Sequence, residues 1–132
     1  MKEKEEGKGM NAAEAVKAGQ VTILARIIRD KGDLDVADHN GMTPLILAAD
    51  GGRLDIAKML LKASVALNAQ DKWGQTALML AAGRGDVYMV RLLVEAGANL
   101  QVVAKNGLTA LGYATENGAR EVGQILKRAG AR

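Results

Sequence analysis

The sequence predicts an all-α repeat solenoid, a stack of helix–turn–helix units joined by short β-hairpin-like loops. Three observations carry that prediction: a self-similarity that places position 38 on 71 and 71 on 104, a turn glycine followed two positions later by threonine in each unit, and an amphipathic run that ends on glycine. DHNGMTPLILAADGGRLDIAKMLLKA (38–63) moved forward by one period falls on DKWGQTALMLAAGRGDVYMVRLLVEA (71–96), and moved again falls on AKNGLTALGYATENGAREVGQILKRA (104–129). Such a period is the mark of an architecture in which each unit buries its apolar face only against its neighbours.

The first unit is irregular but legible. NAAEAVKAGQ (11–20) supplies its first helix and LARIIRDKG (24–32) its second, the latter patterned like VGQILKRAG (122–130). On that alignment one residue is extra between Gly19 and Leu24 and one is missing between Gly32 and Asp38. In each later unit, Gly41, Gly74 or Gly107 suits the left-handed backbone of a tight hairpin tip. Thr43, Thr76 and Thr109 then serve as helix N-caps, with Pro44 at the first helical position of its unit. The small residues of LILAA, LMLAA and LGYAT allow close helix packing before Gly52, Gly85 and Gly118 break the chain. Ile56, Met59 and Leu60 recur at helical spacing as Met89, Leu92, Leu93 and as Val122, Ile125, Leu126. Gly97 and Gly130 are the expected left-handed C-caps. The units are thus expected at about 10–37, 38–70, 71–103 and 104–132. Residues 1–9, MKEKEEGKG, read as a charged disordered tail.

Composition narrows the chemistry. The chain of 132 residues has no cysteine or phenylalanine, one tryptophan and 2% aromatics, so its core is aliphatic. One histidine (His39), one serine (Ser64) and no thiol cannot assemble a hydrolase triad or a metal site of the usual kinds, which points to a protein that is no enzyme and holds no cofactor or metal. Asp33 and Asp35, two apart, read as solvated loop residues. The absence of an apolar span or signal peptide points to a soluble, intracellular, cytoplasmic protein, with the nucleus left open. The whole net charge of +3 comes from residues 104–132, which hold five cationic and two acidic side chains. Without interleaved aromatics, that basic segment reads as a solvated face, and nucleic-acid binding is a minor alternative. Arg84-Gly85-Asp86 resembles an adhesion tripeptide, but its glycine is the turn glycine of the repeat.

TPLILAA (43–49), TALMLAA (76–82) and LLVEAGA (92–98), together with the period of the units, resemble the ankyrin repeat over residues 10 to 132. The resemblance implies four repeats, the outer two acting as caps, and a concave surface of hairpin tips and first-helix ends that binds another protein. Carried onto this chain, the tips are His39, Asn40 and Met42; Lys72, Trp73 and Gln75; Lys105, Asn106 and Leu108. The helix-end positions are Asp50, Gly83 with Arg84, and Glu116 with Asn117. The chain departs from the family pattern in having Ile46, Met79 and Gly112 where a histidine is usual. Gly112 is expected to leave room beside Tyr113. Ser64 stands at a glycine position and is expected to strain the backbone, and Ala104 replaces an aspartate.

Trp73 aligns with Asn40 and Asn106, polar tip residues, so a recognition role is expected for it, with packing against a neighbouring hairpin as the alternative. Met42 and Leu108 extend an apolar strip, and Lys72 and Lys105 favour an acidic partner surface. Tyr113 aligns with Leu47 and Leu80 and reads as core; Tyr88 reads as an isolated exposed residue on the outer helices. The expected function is a monomeric, non-enzymatic protein-binding module. An engineered or model repeat scaffold without a natural ligand is the alternative.

Overall fold

A computed structural model describes residues 9–132; eight of the nine residues of the expected charged tail lie outside the described residues. From Ala12 onward, eight helices follow in pairs among the described residues: α1 (Ala12–Lys17) and α2 (Val21–Arg29), α3 (Pro44–Asp50) and α4 (Leu54–Lys62), α5 (Ala77–Arg84) and α6 (Val87–Glu95), α7 (Ala110–Glu116) and α8 (Arg120–Arg128). The first helices pack side by side in the order α1, α3, α5, α7, and α4, α6 and α8 form a second row behind them. Among the described residues there is no strand, and no helix is long and apolar enough to cross a membrane.

Local chemistry sets the helix starts. Thr43, Thr76 and Thr109 accept hydrogen bonds from the N–H groups of Ile46, Met79 and Gly112 at 3.2–3.3 Å, satisfying donors that a helix leaves open at its first turn. In α1 the cap is Asn11, whose side chain accepts from Glu14 N while Glu14 reciprocates to Asn11 N. The core forms columns down the stack: Leu45 and Leu78; Ala48, Ala81 and Ala114; Ile56, Met89 and Val122; Leu60, Leu93 and Leu126, all buried. Ile46 and Met79 are buried as well, so apolar packing replaces the family's polar link in the middle units.

The repeat frame holds throughout, which corrects the expected irregularity of the first unit. α2 (Val21–Arg29) stands to α4 (Leu54–Lys62) in the same register as α4 stands to α6 (Val87–Glu95), with no residue extra after Gly19 or missing before Asp38. The left-handed position is Lys31 (φ +57), equivalent to Ser64, Gly97 and Gly130, and not Gly32. Gly32 answers a different need: a Cβ there would lie 2.8 Å from Ile27 Cγ2, so the glycine lets the chain leave α2 against that side chain.

Ser64 is left-handed, at φ +60, as its place in the repeat requires. A side chain in that conformation costs roughly 1 kcal/mol relative to glycine. Ser64→Gly is therefore expected to stabilise the fold by about 0.5–1 kcal/mol, read as a higher urea midpoint at an unchanged slope. A midpoint at or below that of the parent would show that the turn carries no strain.

The segments between units are tied sideways. Asp35 Oδ1 accepts from Ala66 N, and Asn68 Oδ1, one repeat on, accepts from Asn99 N, both at 2.8 Å. Asp35 is thus a staple between the first two units and not merely a solvated loop residue, and Asp33 supports it by accepting from Asp35 N at 2.9 Å.

Candidate functional site

The hairpin tips are built by aspartate side chains and by each other. Asp38 Oδ1 accepts from Asn40 N and Met42 N, and Asp71 Oδ1 from Trp73 N and Gln75 N, at 2.9–3.0 Å. Successive tips are joined through the backbone: Lys72 N donates to Asn40 O, and Lys105 N to Trp73 O, each at 3.0 Å. Ala104 removes the carboxylate from the last tip. There Asn106 Oδ1 accepts from Leu108 N at 3.1 Å, so a side chain within the tip restores one of the two lost hydrogen bonds.

Trp73 projects from this ladder and is 48% exposed. Its backbone is fixed at both ends, the N–H by Asp71 and the carbonyl by Lys105. Lys72 Nζ lies 4.5 Å from the centre of the indole ring, a cation–π contact. The ring lines an open cavity of about 580 Å³ together with Gln75, Lys105, Asn106 and Tyr113. Four of these five residues belong to the expected tip set.

Tyr113 is the fifth, and its reading as core needs correction. It packs against the core but is only half-buried, and its hydroxyl reaches the tips. Gln75 Nε2 donates to Tyr113 Oη at 3.0 Å and Asn106 Nδ2 donates to it at 2.9 Å. The aligned Leu47 and Leu80 are likewise half-buried, so a tyrosine here can keep its ring packed and its polar end at the surface. The clue in the sequence is a hydroxyl in a leucine column, which calls for a partner. The room left by Gly112 is taken up by Leu108, whose Cδ2 lies 3.1 Å from where a Cβ would be.

The other expected site residues divide by environment. His39, Asp50, Glu116 and Asn117 are exposed, whereas Asn40, Met42 and Leu108 are half-buried, the methionine against the core. Arg84 is exposed but engaged: its Nη1 donates to Asp50 O at 2.9 Å, at the end of α3. Asn117 Nδ2 donates in the same manner to Gly83 O at 3.0 Å. Both side chains tie the end of one first helix to the next.

Asp38 is further held by Lys17, whose Nζ lies 2.8 Å from Asp38 Oδ2 as an ion pair off hydrogen-bond alignment. Burial alone would raise the Asp38 carboxyl. The Lys17 ammonium and the N–H groups of Met42 and Asn40 outweigh it and hold the group below its ordinary value of 3.8. Asp71 Oδ2 is buried with no hydrogen-bond partner among the described residues, and the position equivalent to Lys17 is Asp50.

Among the described residues, no group of three or more histidine, aspartate or glutamate side chains is placed to hold a metal ion. The site therefore offers hydrogen-bond donors, two cations and an aromatic wall, which suit recognition.

Comparison with known proteins bears on the repeat fold. No curated protein matches the chain. A family model described as ankyrin repeats (3 copies) matches residues 63–132, and one described as ankyrin repeats (many copies) matches residues 27–76. Ankyrin repeats are generally protein–protein interaction modules and typically non-enzymatic. With the matches reaching from residue 27 to residue 132 and the regular frame of paired helices beneath them, the chain belongs to the ankyrin repeat family.

Proposed function

We propose that the chain binds a partner protein across its second and third tips, with Trp73 at the centre of the contact. One observation carries the reading: a half-exposed tryptophan, fixed through its backbone on a hydrogen-bonded tip, walls a cavity of about 580 Å³. Tryptophan is enriched among residues that dominate binding energy, and a tip already ordered before contact loses little conformational entropy on association. Lys72 and Lys105 add positive charge beside the ring and favour an acidic partner surface. His39 and Asn40 on one side, Met42 and Leu108 along the tips, and Asp50, Arg84 and Glu116 at the helix ends form the margins of the same surface. The protein acts as a monomer in this reading, without catalysis and without a cofactor.

The test is affinity capture with the parent and with Trp73→Ala, both first shown to be folded by circular dichroism. Trp73→Ala is expected to weaken binding of the captured partner by more than about 1 kcal/mol. It should leave the urea midpoint nearly unchanged, since the ring is half in solvent. Equal affinity of the two proteins for the same partner would remove Trp73 from the interface. Capture of nothing specific by the parent would favour a scaffold without a natural ligand.

A further inference from the structure

We infer that the cavity beside Trp73 is a carboxylate-recognising subsite, which seats a glutamate or aspartate side chain from an acidic linear segment of the partner. The inference rests on the proposed binding surface and specifies what its central cavity takes.

The hydrogen-bond inventory of Tyr113 carries it. A phenol oxygen has two acceptor lone pairs and one O–H to give. Gln75 Nε2 and Asn106 Nδ2 donate to it at 3.0 and 2.9 Å, so both acceptor sites are filled from within the protein. The proton of the hydroxyl is left to be donated outward. Asn106 meets the hydroxyl with its Nδ2 and turns its Oδ1 to Leu108 N, so it does not take that proton. Lys105, whose ammonium has three donors and no acceptor, and Trp73, whose indole carries one N–H donor, also line the cavity. Against these donors stand two side-chain amide oxygens of the lining, Gln75 Oε1 and Asn106 Oδ1, the second already accepting from Leu108 N.

A cavity so equipped selects for acceptors, and for negative ones where a cation shares the lining. No acidic residue is among the five that line it. Asp71, in the same hairpin tip as Trp73, is buried and turned to the hairpin N–H groups. A carboxylate of a bound segment can accept from the Tyr113 hydroxyl and pair with Lys105, while the methylene stem that carries it lies along the indole. Hydrogen bonds to a charged acceptor are among the stronger ones, and a cavity of about 580 Å³ lies within the range of about 300–1,000 Å³ typical of small-ligand clefts. Lys72, over the indole at 4.5 Å, places a second cation along the path of the same segment.

Trp73 is the single tryptophan of the chain, so its fluorescence reports on this cavity alone. A display library of random linear peptides is selected on the folded parent protein, and each selected peptide is titrated with tryptophan emission as the signal. Selected peptides are expected to share an acidic position. Glu→Gln at that position should weaken binding about tenfold on the parent, and by much less on Tyr113→Phe and Lys105→Gln, where the partner groups are already gone. Lys58→Ala, on the exposed side of α4, serves as a charge control and is expected to bind as the parent does. Rising salt should weaken the acidic peptide more than its glutamine form.

Peptides that perturb Trp73 emission yet bind equally as glutamate and glutamine forms would overturn the carboxylate subsite while leaving Trp73 as the contact centre. Peptides that leave the emission unchanged and bind Trp73→Ala as tightly as the parent would overturn both readings. Failure to select any peptide on a protein that still captures a folded partner through Trp73 would overturn the linear acidic segment alone.

Discussion

Gly41→Ala is expected to destabilise the fold by about 3 kcal/mol, and Gly107→Ala by only about 1 kcal/mol, although the two glycines occupy the same position in their repeats. Both are left-handed, at φ +75 and +87, so alanine meets a similar backbone penalty at each. The surroundings differ. A Cβ on Gly41 would lie 2.9 Å from Lys72 N and 3.3 Å from the Asp71 backbone, whereas one on Gly107 would meet nothing within 4 Å. Lys72 N cannot retreat cheaply, because it donates to Asn40 O at 3.0 Å and so joins the first tip to the second. Gly74 is placed like Gly41, with a Cβ 3.0 Å from Lys105 N, and its replacement should also shift Trp73. Urea midpoints at a common slope check the series. Equal losses at Gly41 and Gly107 would mean that only backbone conformation, and not the stacking of tips, demands the glycine.

The sequence made the repeat and its caps legible because they depend on local rules: a threonine that caps a helix, a glycine that turns the chain, an aliphatic residue every third or fourth position. The reading slipped by one residue where a local rule had two answers. Gly32 looked like the C-cap, but Lys31 takes the left-handed conformation, and the glycine serves contact with Ile27. Of the candidate site, Trp73, Gln75, Lys105 and Asn106 were legible from their place at the tips. Tyr113 was not, because alignment with Leu47 and Leu80 describes where a side chain starts and says nothing of where a long one ends. Its hydroxyl meets Gln75, from the unit before, and Asn106, from its own tip, through the stacking of two units. Contacts of that kind are set by three-dimensional neighbours, as is the engagement of Arg84 by the carbonyl of Asp50.

Charge placement between units leads to the second large effect. Lys17→Ala is expected to cost about 2 kcal/mol at pH 7, because it leaves Asp38 Oδ2 buried without its cation. The Asp38 carboxyl lies below its ordinary value of 3.8 in the folded state, so the stability linked to it is present above that value. It is lost as pH falls through the lower folded value, where Asp38 takes up its proton. Parent and Lys17→Ala should therefore differ at neutral pH and converge in acid, as followed by urea denaturation across pH. A gap that persists unchanged in acid would assign the effect to lost packing of the lysine stem. The next unit is a natural counterpart, since Asp71 Oδ2 is buried without a hydrogen-bond partner among the described residues and Asp50 stands where Lys17 would be. Asp50→Lys should consequently raise stability by about 1 kcal/mol, and more than Asp50→Asn, which only removes the like charge. If Asp50→Lys gained no more than Asp50→Asn, the second tip would have no use for a cation, and the Lys17–Asp38 pair would be particular to the first.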